Sequence, residues 1–221
     1  MWGPATCEPA CRQDAGAAGP HPHPPRVLAV DTRLPHAATP AQERDHARTL
    51  ARAALTRALA AQLGCAPQAL SVSDERGQPP RLAWTAGGAA ALDAIALSIS
   101  HAPGLSLAAW RLQGAVGVDL QAVPQEAKTA DLLHTAALYL GQNTAKTLAS
   151  KAQSAHFSIV FAQCWAQHEA ALKCLGLGLA EYTPALAAQL AHVQTARLAL
   201  PAWAPAGLVA ALAWCPITPP R

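Results

Sequence analysis

Between Leu97 and Gln121 the chain reads LSIS, a Pro103-Gly104 pair, LSLAAWRL, a Gln113-Gly114 pair and then AVGVDLQ. Apolar and small or polar residues alternate with a period of two, and the Gly-containing pairs interrupt them as turns do, so the segment is expected to form three antiparallel strands. Successive side chains of a strand point to opposite faces. In the last strand Val116, Val118 and Leu120 therefore share one face, and Gly117, Asp119 and Gln121 share the other.

Elements on either side extend this pattern. Arg26 to Asp31 (RVLAVD) reads as a first strand, and Ala41 to Leu63 reads as a long helix closed by Gly64. Gly77-Gln78-Pro79-Pro80 breaks the chain, residues 127–140, 145–153 and 156–175 read as helices, and GLVAALAWC near the end reads as a last strand. Helix followed by meandering strands, twice over, predicts an α+β fold of two similar halves related by duplication, residues 26–113 and 114–221. Residues 1–25, rich in Pro, Gly and Ala, read as a disordered tail. At 221 residues and 52% hydrophobic content the remainder has ample material for a core.

Composition removes several classes of function. A formal charge of +3 is too small for phosphate-driven nucleic-acid binding. Apolar runs are too short to span a membrane, and the first residues lack the basic-then-apolar order of a signal peptide, which predicts a cytoplasmic protein. The six cysteines are scattered without CxxC pairing, so reduced thiols are expected, and Cys7, Cys11, His21 and His23 fit no usual zinc spacing.

Candidate chemistry is sparse. Between Leu97 and Gly176 the acidic residues are Asp119, Glu126, Asp131 and Glu169. Asp119 lies in a strand of apolar and small residues, where a buried carboxylate needs a cation, a donor or water. Trp165, Glu169 and Lys173 follow at four-residue intervals along one side of a helix, with His168 about 100° around from Glu169. Each item also has a local reading: a Glu169–Lys173 salt bridge, a strand-end Asp119 capping a turn, an exposed turn His101. Arg44, Arg48 and Arg52 form a stripe that is either an anion site or a solvated face partnered by Glu43 and Asp45.

The order of five blocks, DHARTLAR, RGQPPRL, LSISHA, VGVDLQ and WAQHEAALKCLGLGL, resembles the successive signatures of surfactin-type 4′-phosphopantetheinyl transferases across roughly residues 27–215. The last two blocks and their separation of about fifty residues are the specific part. The resemblance implies an enzyme that moves 4′-phosphopantetheine from coenzyme A to a serine of an apo acyl, peptidyl or aryl carrier protein, with Mg²⁺ as cofactor and 3′,5′-ADP as leaving group. It implies an active site in the cleft between the two halves, with Asp119 and Glu169 as magnesium ligands, Glu169 also as base, and Lys173 beside the pyrophosphate. It implies Arg48, Gly77, Pro79, Ser100 and His101 as coenzyme A contacts, Arg48 and His101 at the 3′-phosphate. A monomer without nucleic-acid or membrane partners is expected.

Three positions depart from the family pattern. Gln121 stands for a second strand carboxylate and is expected to offer the metal a neutral oxygen or to hold a metal-bound water, at the cost of one negative charge. His168 stands for a lysine and is expected to be cationic part of the time; Gln78 stands for the lysine of a Gly-Lys-Pro turn, with Arg81 as a substitute. These changes motivate the alternative of a coenzyme A-binding or interaction protein of the same fold with weakened turnover.

Overall fold

A computed structural model describes residues 24–34, 38–75, 77–86 and 92–215. The tail reading and the Cys7, Cys11, His21 and His23 set fall largely or wholly outside these residues. Among the described residues the fold is mixed α+β with antiparallel sheets.

Strand β1 (Arg26–Asp31) leads to helix α1 (Pro40–Leu63). Thr39 accepts from the Gln42 amide while Gln42 Oε1 accepts from the Thr39 amide, a capping box; Gly64 ends the helix at φ 69°, in the left-handed region that costs glycine nothing. Ala47, Ala51, Leu55 and Leu59, four residues apart, form the buried stripe of α1. A short hairpin follows, β2 (Leu70–Val72) with β3 (Leu82–Trp84), then β4 (Ala96–Ala102) and β5 (Leu105–Arg111). Sheet order is β1-β5-β4. One face, with Leu28, Leu97, Ala108 and Trp110, meets Leu55 and Leu59 of α1.

β6 (Ala115–Ala122) does not extend that sheet. β5 is already flanked by β1 and β4 and has no free edge to give, so the expected third strand of the meander starts a second sheet. Helices α2 (Thr129–Tyr139), α3 (Gln142–Ala149), α4 (Phe157–Cys174) and α5 (Pro184–Leu190) precede β7 (Gln194–Leu198) and β8 (Leu208–Cys215), and the second sheet runs β6-β8-β7. In both three-stranded sheets the first strand in sequence is an edge and the last strand is central.

The two sheets share a core: Val27, Leu105, Leu107 and Ala109 on one side, and Val116, Val118, Leu120, Ala210 and Leu212 on the other. The opposite face of the second sheet, with Ala211 and Ala213, packs on Ala166, Ala170, Ala171 and Cys174 of α4. The order of layers is thus α1, sheet, sheet, α4. The alternation expected for β6 holds: the valine and leucine side chains enter the shared core, and Gly117, Asp119 and Gln121 face α4. Alanine is the dominant residue on both sides of the α4 contact, and Gly117 allows an even closer approach. A Cβ at position 117 would lie 2.0 Å from the Ala170 carbonyl oxygen.

Where the edges of the two sheets meet, β4 serves β6 with side chains in place of a backbone ladder. Ser98 Oγ accepts from Val118 N–H at 3.0 Å and Ser100 Oγ from Leu120 N–H at 3.1 Å. The two-residue spacing of the serines matches that of the amides, so donors that would otherwise be orphaned at a buried strand edge are satisfied.

Candidate functional site

The seam between the sheets brings the first group of site residues together. Asp119, 3% exposed, sits mid-strand and not at a turn. Lys173 from the last turn of α4 reaches across to it, Nζ to Oδ1 at 2.6 Å. Ser100 donates to the same oxygen at 3.0 Å, and Gln121 Nε2 donates to Oδ2 at 3.0 Å. Lys173 also donates to Ser100 Oγ and to the Val118 carbonyl, each at 3.3 Å. The buried carboxylate has therefore acquired both a cation and neutral donors, as its burial requires.

Glu169 lies one turn before Lys173 on α4. Among the described residues Lys173 pairs with Asp119 and not with Glu169, so the local i,i+4 salt bridge does not form. Burial first, and then the nearby Asp119 carboxylate, push the Glu169 pKa above its ordinary value, against a smaller opposing effect of Lys173. Two carboxylates on facing elements that raise the proton affinity of one of them make a place where added positive charge is favourable.

The residues that could hold a metal ion here are Asp119, Glu169 and the Gln121 amide. No group of three or more His, Cys, Asp or Glu side chains gathers among the described residues. Two carboxylates and an amide suit Mg²⁺, which takes few protein ligands and completes its octahedron with water and phosphate oxygens.

The second group lies at the other side of β4. Arg48 and His101 line one hollow of about 530 Å³, together with Arg33, Arg44, Glu43 and the Pro103-Gly104 turn. The lining contains three arginines against one glutamate, with Arg33 paired to Asp31 and Arg48 to Asp74, so it presents guanidinium donors to an anion. The arginine stripe has a partner that the helix itself does not contain. Arg48 and Arg52 both bind Asp74, at 2.5 and 2.7 Å, and Arg52 Nε donates to the Ser73 carbonyl at 3.0 Å. The described bonds of Arg48 to Asp74 use Nη2 alone among its donors.

His101 is the outer end of β4. Its outer edge is open to solvent, while Nδ1 on the inner side lies 2.7 Å from the buried Ser106 Oγ. Desolvation of that inner part, reinforced by Arg52, Arg48 and Lys173, pushes its pKa down to about 4, so the ring is neutral at pH 7. Ser100, next to His101 in β4, bonds both Asp119 and Lys173, so the two groups of site residues meet along one strand.

The loop from Asp74 to Arg81 connects them further. Ser73 N–H donates to the Arg81 carbonyl and Arg81 N–H to Ser73 Oγ, both at 2.9 Å, closing its base. Gly77 is exposed at φ 77°. Pro79, Pro80 and Arg81 line a second hollow of about 500 Å³ with Lys173, Cys174 and Gly176. The residues assigned to coenzyme A are therefore divided: Arg48 and His101 in one hollow, Pro79 beside Lys173 in the other, and Ser100 between them in the Asp119 cluster.

His168 corrects an expectation. It is 8% exposed, burial lowers its pKa, and among the described residues its Nε2 has no hydrogen-bond partner. It is a packed side chain beside Trp165, and its burial makes it a poorer substitute for a lysine charge than an exposed imidazole would be. Gln78 and Arg81 are exposed. Sequence reasoning missed Asp74, Gly117 and Ser98 as residues that shape the site; the S-x-S spacing of LSIS against V-x-L in β6 was the available signal for Ser98.

No helix among the described residues is long and apolar enough to cross a membrane. No protein-family model and no curated protein matches the chain.

Proposed function

We propose that the chain transfers the 4′-phosphopantetheine arm of coenzyme A to a serine of an apo carrier protein, as a monomeric cytoplasmic enzyme. The observation that carries this reading is the continuity of β4. His101 faces the anion-attracting hollow with Arg48, and the adjacent Ser100 bonds the Asp119–Lys173 pair. A ligand with a 3′-phosphate and a pyrophosphate has two separate anionic parts, and β4 presents two separate regions that suit them. The shared strand order of the two three-stranded sheets supports the view of the fold as two related halves.

The serine hydroxyl of the carrier attacks the β-phosphorus. The new P–O bond forms as the bond to the bridging oxygen breaks, and 3′,5′-ADP leaves. Glu169, half-buried on α4 one turn before Lys173, takes the serine proton. Lys173 stabilises charge on the pyrophosphate at the end of α4. Arg48 and neutral His101 hold the 3′-phosphate, His101 as a donor from the ring nitrogen not engaged by Ser106. Asp119 and Glu169, with Gln121, would hold Mg²⁺, which when bound screens the developing charge.

A second reading is coenzyme A binding without turnover. It is favoured by one observation: Lys173 already neutralises Asp119, and Gln121 contributes an amide where a third carboxylate would strengthen the grip on a metal. Release of 3′,5′-ADP from coenzyme A separates the two. The transferase reading expects release that depends on both Mg²⁺ and apo carrier protein; binding without release, across acyl, peptidyl and aryl carriers, would establish the second.

A further inference from the structure

Two thiols meet where α4 ends against the second sheet. Cys174 closes α4 and is buried; Cys215 closes β8, opposite Ala115 of β6, and is partly open. Their Sγ atoms are 3.6 Å apart, in van der Waals contact, although the residues are 41 positions apart in sequence. Arg111, buried at the end of β5, donates Nη1 to the Cys215 carbonyl, and its charge acts on both sulfurs. A pair of free thiols in contact beside a buried guanidinium is more than packing requires.

We propose that Cys174 and Cys215 are an oxidative modification site, closing to a reversible disulfide that ties the end of α4 to β8. A disulfide needs an S–S distance of about 2.05 Å, so the sulfurs must approach by roughly 1.5 Å. The geometry permits this at the helix end. The approach falls to the side chains, which swing about their Cα–Cβ bonds, because the Cys174 backbone is held against Gly117 and the turn after it is closed by the bonds of Leu175 and Gly176.

The oxidant is a small-molecule disulfide. Cys215 is the more accessible thiol and attacks first; burial, and then the neighbouring Cys215, push the Cys174 pKa up to about 12, which leaves it the resolving partner. The Cys215 thiolate forms a bond to one sulfur of the external disulfide and expels the other as a thiolate. Cys174 then attacks the Cys215 sulfur and expels the second thiolate. Two protein thiols are oxidised, one external disulfide is reduced, and the two protons leave with the two released thiols. Arg111 stabilises the negative charge on sulfur in both steps. Lys173 immediately precedes the cross-link, so closure fixes the helix turn that supplies the Asp119 partner. The inference does not rest on the proposed transferase activity.

The test uses the full chain incubated with oxidised glutathione near neutral pH, alkylated, and digested with trypsin without reductant. Cleavage after Lys173 and Arg197 places Cys174 in residues 174–197 and Cys215 in residues 198–221. The expected product is these two peptides joined, two hydrogen masses below their sum, and separated again by dithiothreitol. Cys174→Ser is expected to leave glutathione on Cys215, and Cys215→Ser to leave Cys174 unmodified. Alkylation of both cysteines in the parent protein, glutathione on each separately, or joining of either to another cysteine would overturn the proposal.

Discussion

Lys173 and Asp119, 54 positions apart, form an ion pair of 2.6 Å across the contact between α4 and β6. The carboxylate is almost fully buried and the ammonium is about one-third exposed, side-chain values of 4% and 32%. The pair thus anchors the helix to the sheet at the place where the chemistry is expected. Replacing one partner strands the other, which costs more than the pair itself contributes.

Asp119→Ala is therefore expected to lower unfolding free energy by about 1–3 kcal/mol, because Lys173, Ser100 and Gln121 lose an acceptor together. Asp119→Asn keeps the shape and one acceptor oxygen, and should cost less. Denaturant unfolding of Asp119→Ala, Lys173→Met and the double variant measures the coupling. Strict additivity of the two changes would show that the contact carries no energy.

Gly117→Ala tests how closely α4 must lie on β6. The added methyl would be 2.0 Å from the Ala170 oxygen and 2.5 Å from the Cys174 nitrogen, both backbone atoms that move only with the helix. A loss of about 1–3 kcal/mol is expected, with reduced transfer because Glu169 and Lys173 shift with α4. Stability unchanged from the parent in thermal unfolding would mean that α4 has room the structure does not provide.

His168 gives a prediction in pH. Burial lowers its folded pKa below the ordinary value of 6.5, so the unfolded chain binds more protons as pH falls through that region. Folding stability should therefore decrease between pH 7 and pH 5. His168→Leu should flatten that dependence while leaving the chain folded at pH 7. Parallel thermal-unfolding curves for the variant and the parent across this range would contradict a buried neutral imidazole.

Arg48 and His101 carry the prediction for ligand discrimination. If both contact a 3′-phosphate, coenzyme A should bind more tightly than dephospho-coenzyme A. A charge-assisted contact to phosphate is worth roughly 1.5–3 kcal/mol, about tenfold or more, less where solvent intrudes. Arg48→Ala with His101→Ala should erase the preference in calorimetric titration of the two ligands. Equal binding of both by the parent protein would remove the assignment.

The faces of β6 were legible because a strand places every second side chain together, and Val116, Val118 and Leu120 left Asp119 and Gln121 no alternative side. The long helices were equally clear from caps and periodicity. The partner of Lys173 was not. Helical spacing points to Glu169, but a half-buried Glu169 keeps some hydration, whereas Asp119 keeps almost none and has the stronger need for a cation. Asp74 took Arg48 and Arg52 for a related reason: the loop it belongs to folds onto α1, and no local pattern announces that contact. The pairing of β6 with β8, and elements as short as β2, β3 and β7, depend on tertiary neighbours far along the chain. The same is true of His168, whose burial is set by packing around α4 and not by its place in a motif.

The most direct measurement is the mass of an apo carrier protein after incubation with this chain, coenzyme A and Mg²⁺, using acyl, peptidyl and aryl carriers in parallel. The account predicts that at least one carrier gains the mass of one phosphopantetheine on its serine, and that Glu169→Gln, which retains the shape of the side chain but not its basicity, prevents the gain. Unchanged mass for every carrier, from a folded protein that binds coenzyme A, would contradict transfer.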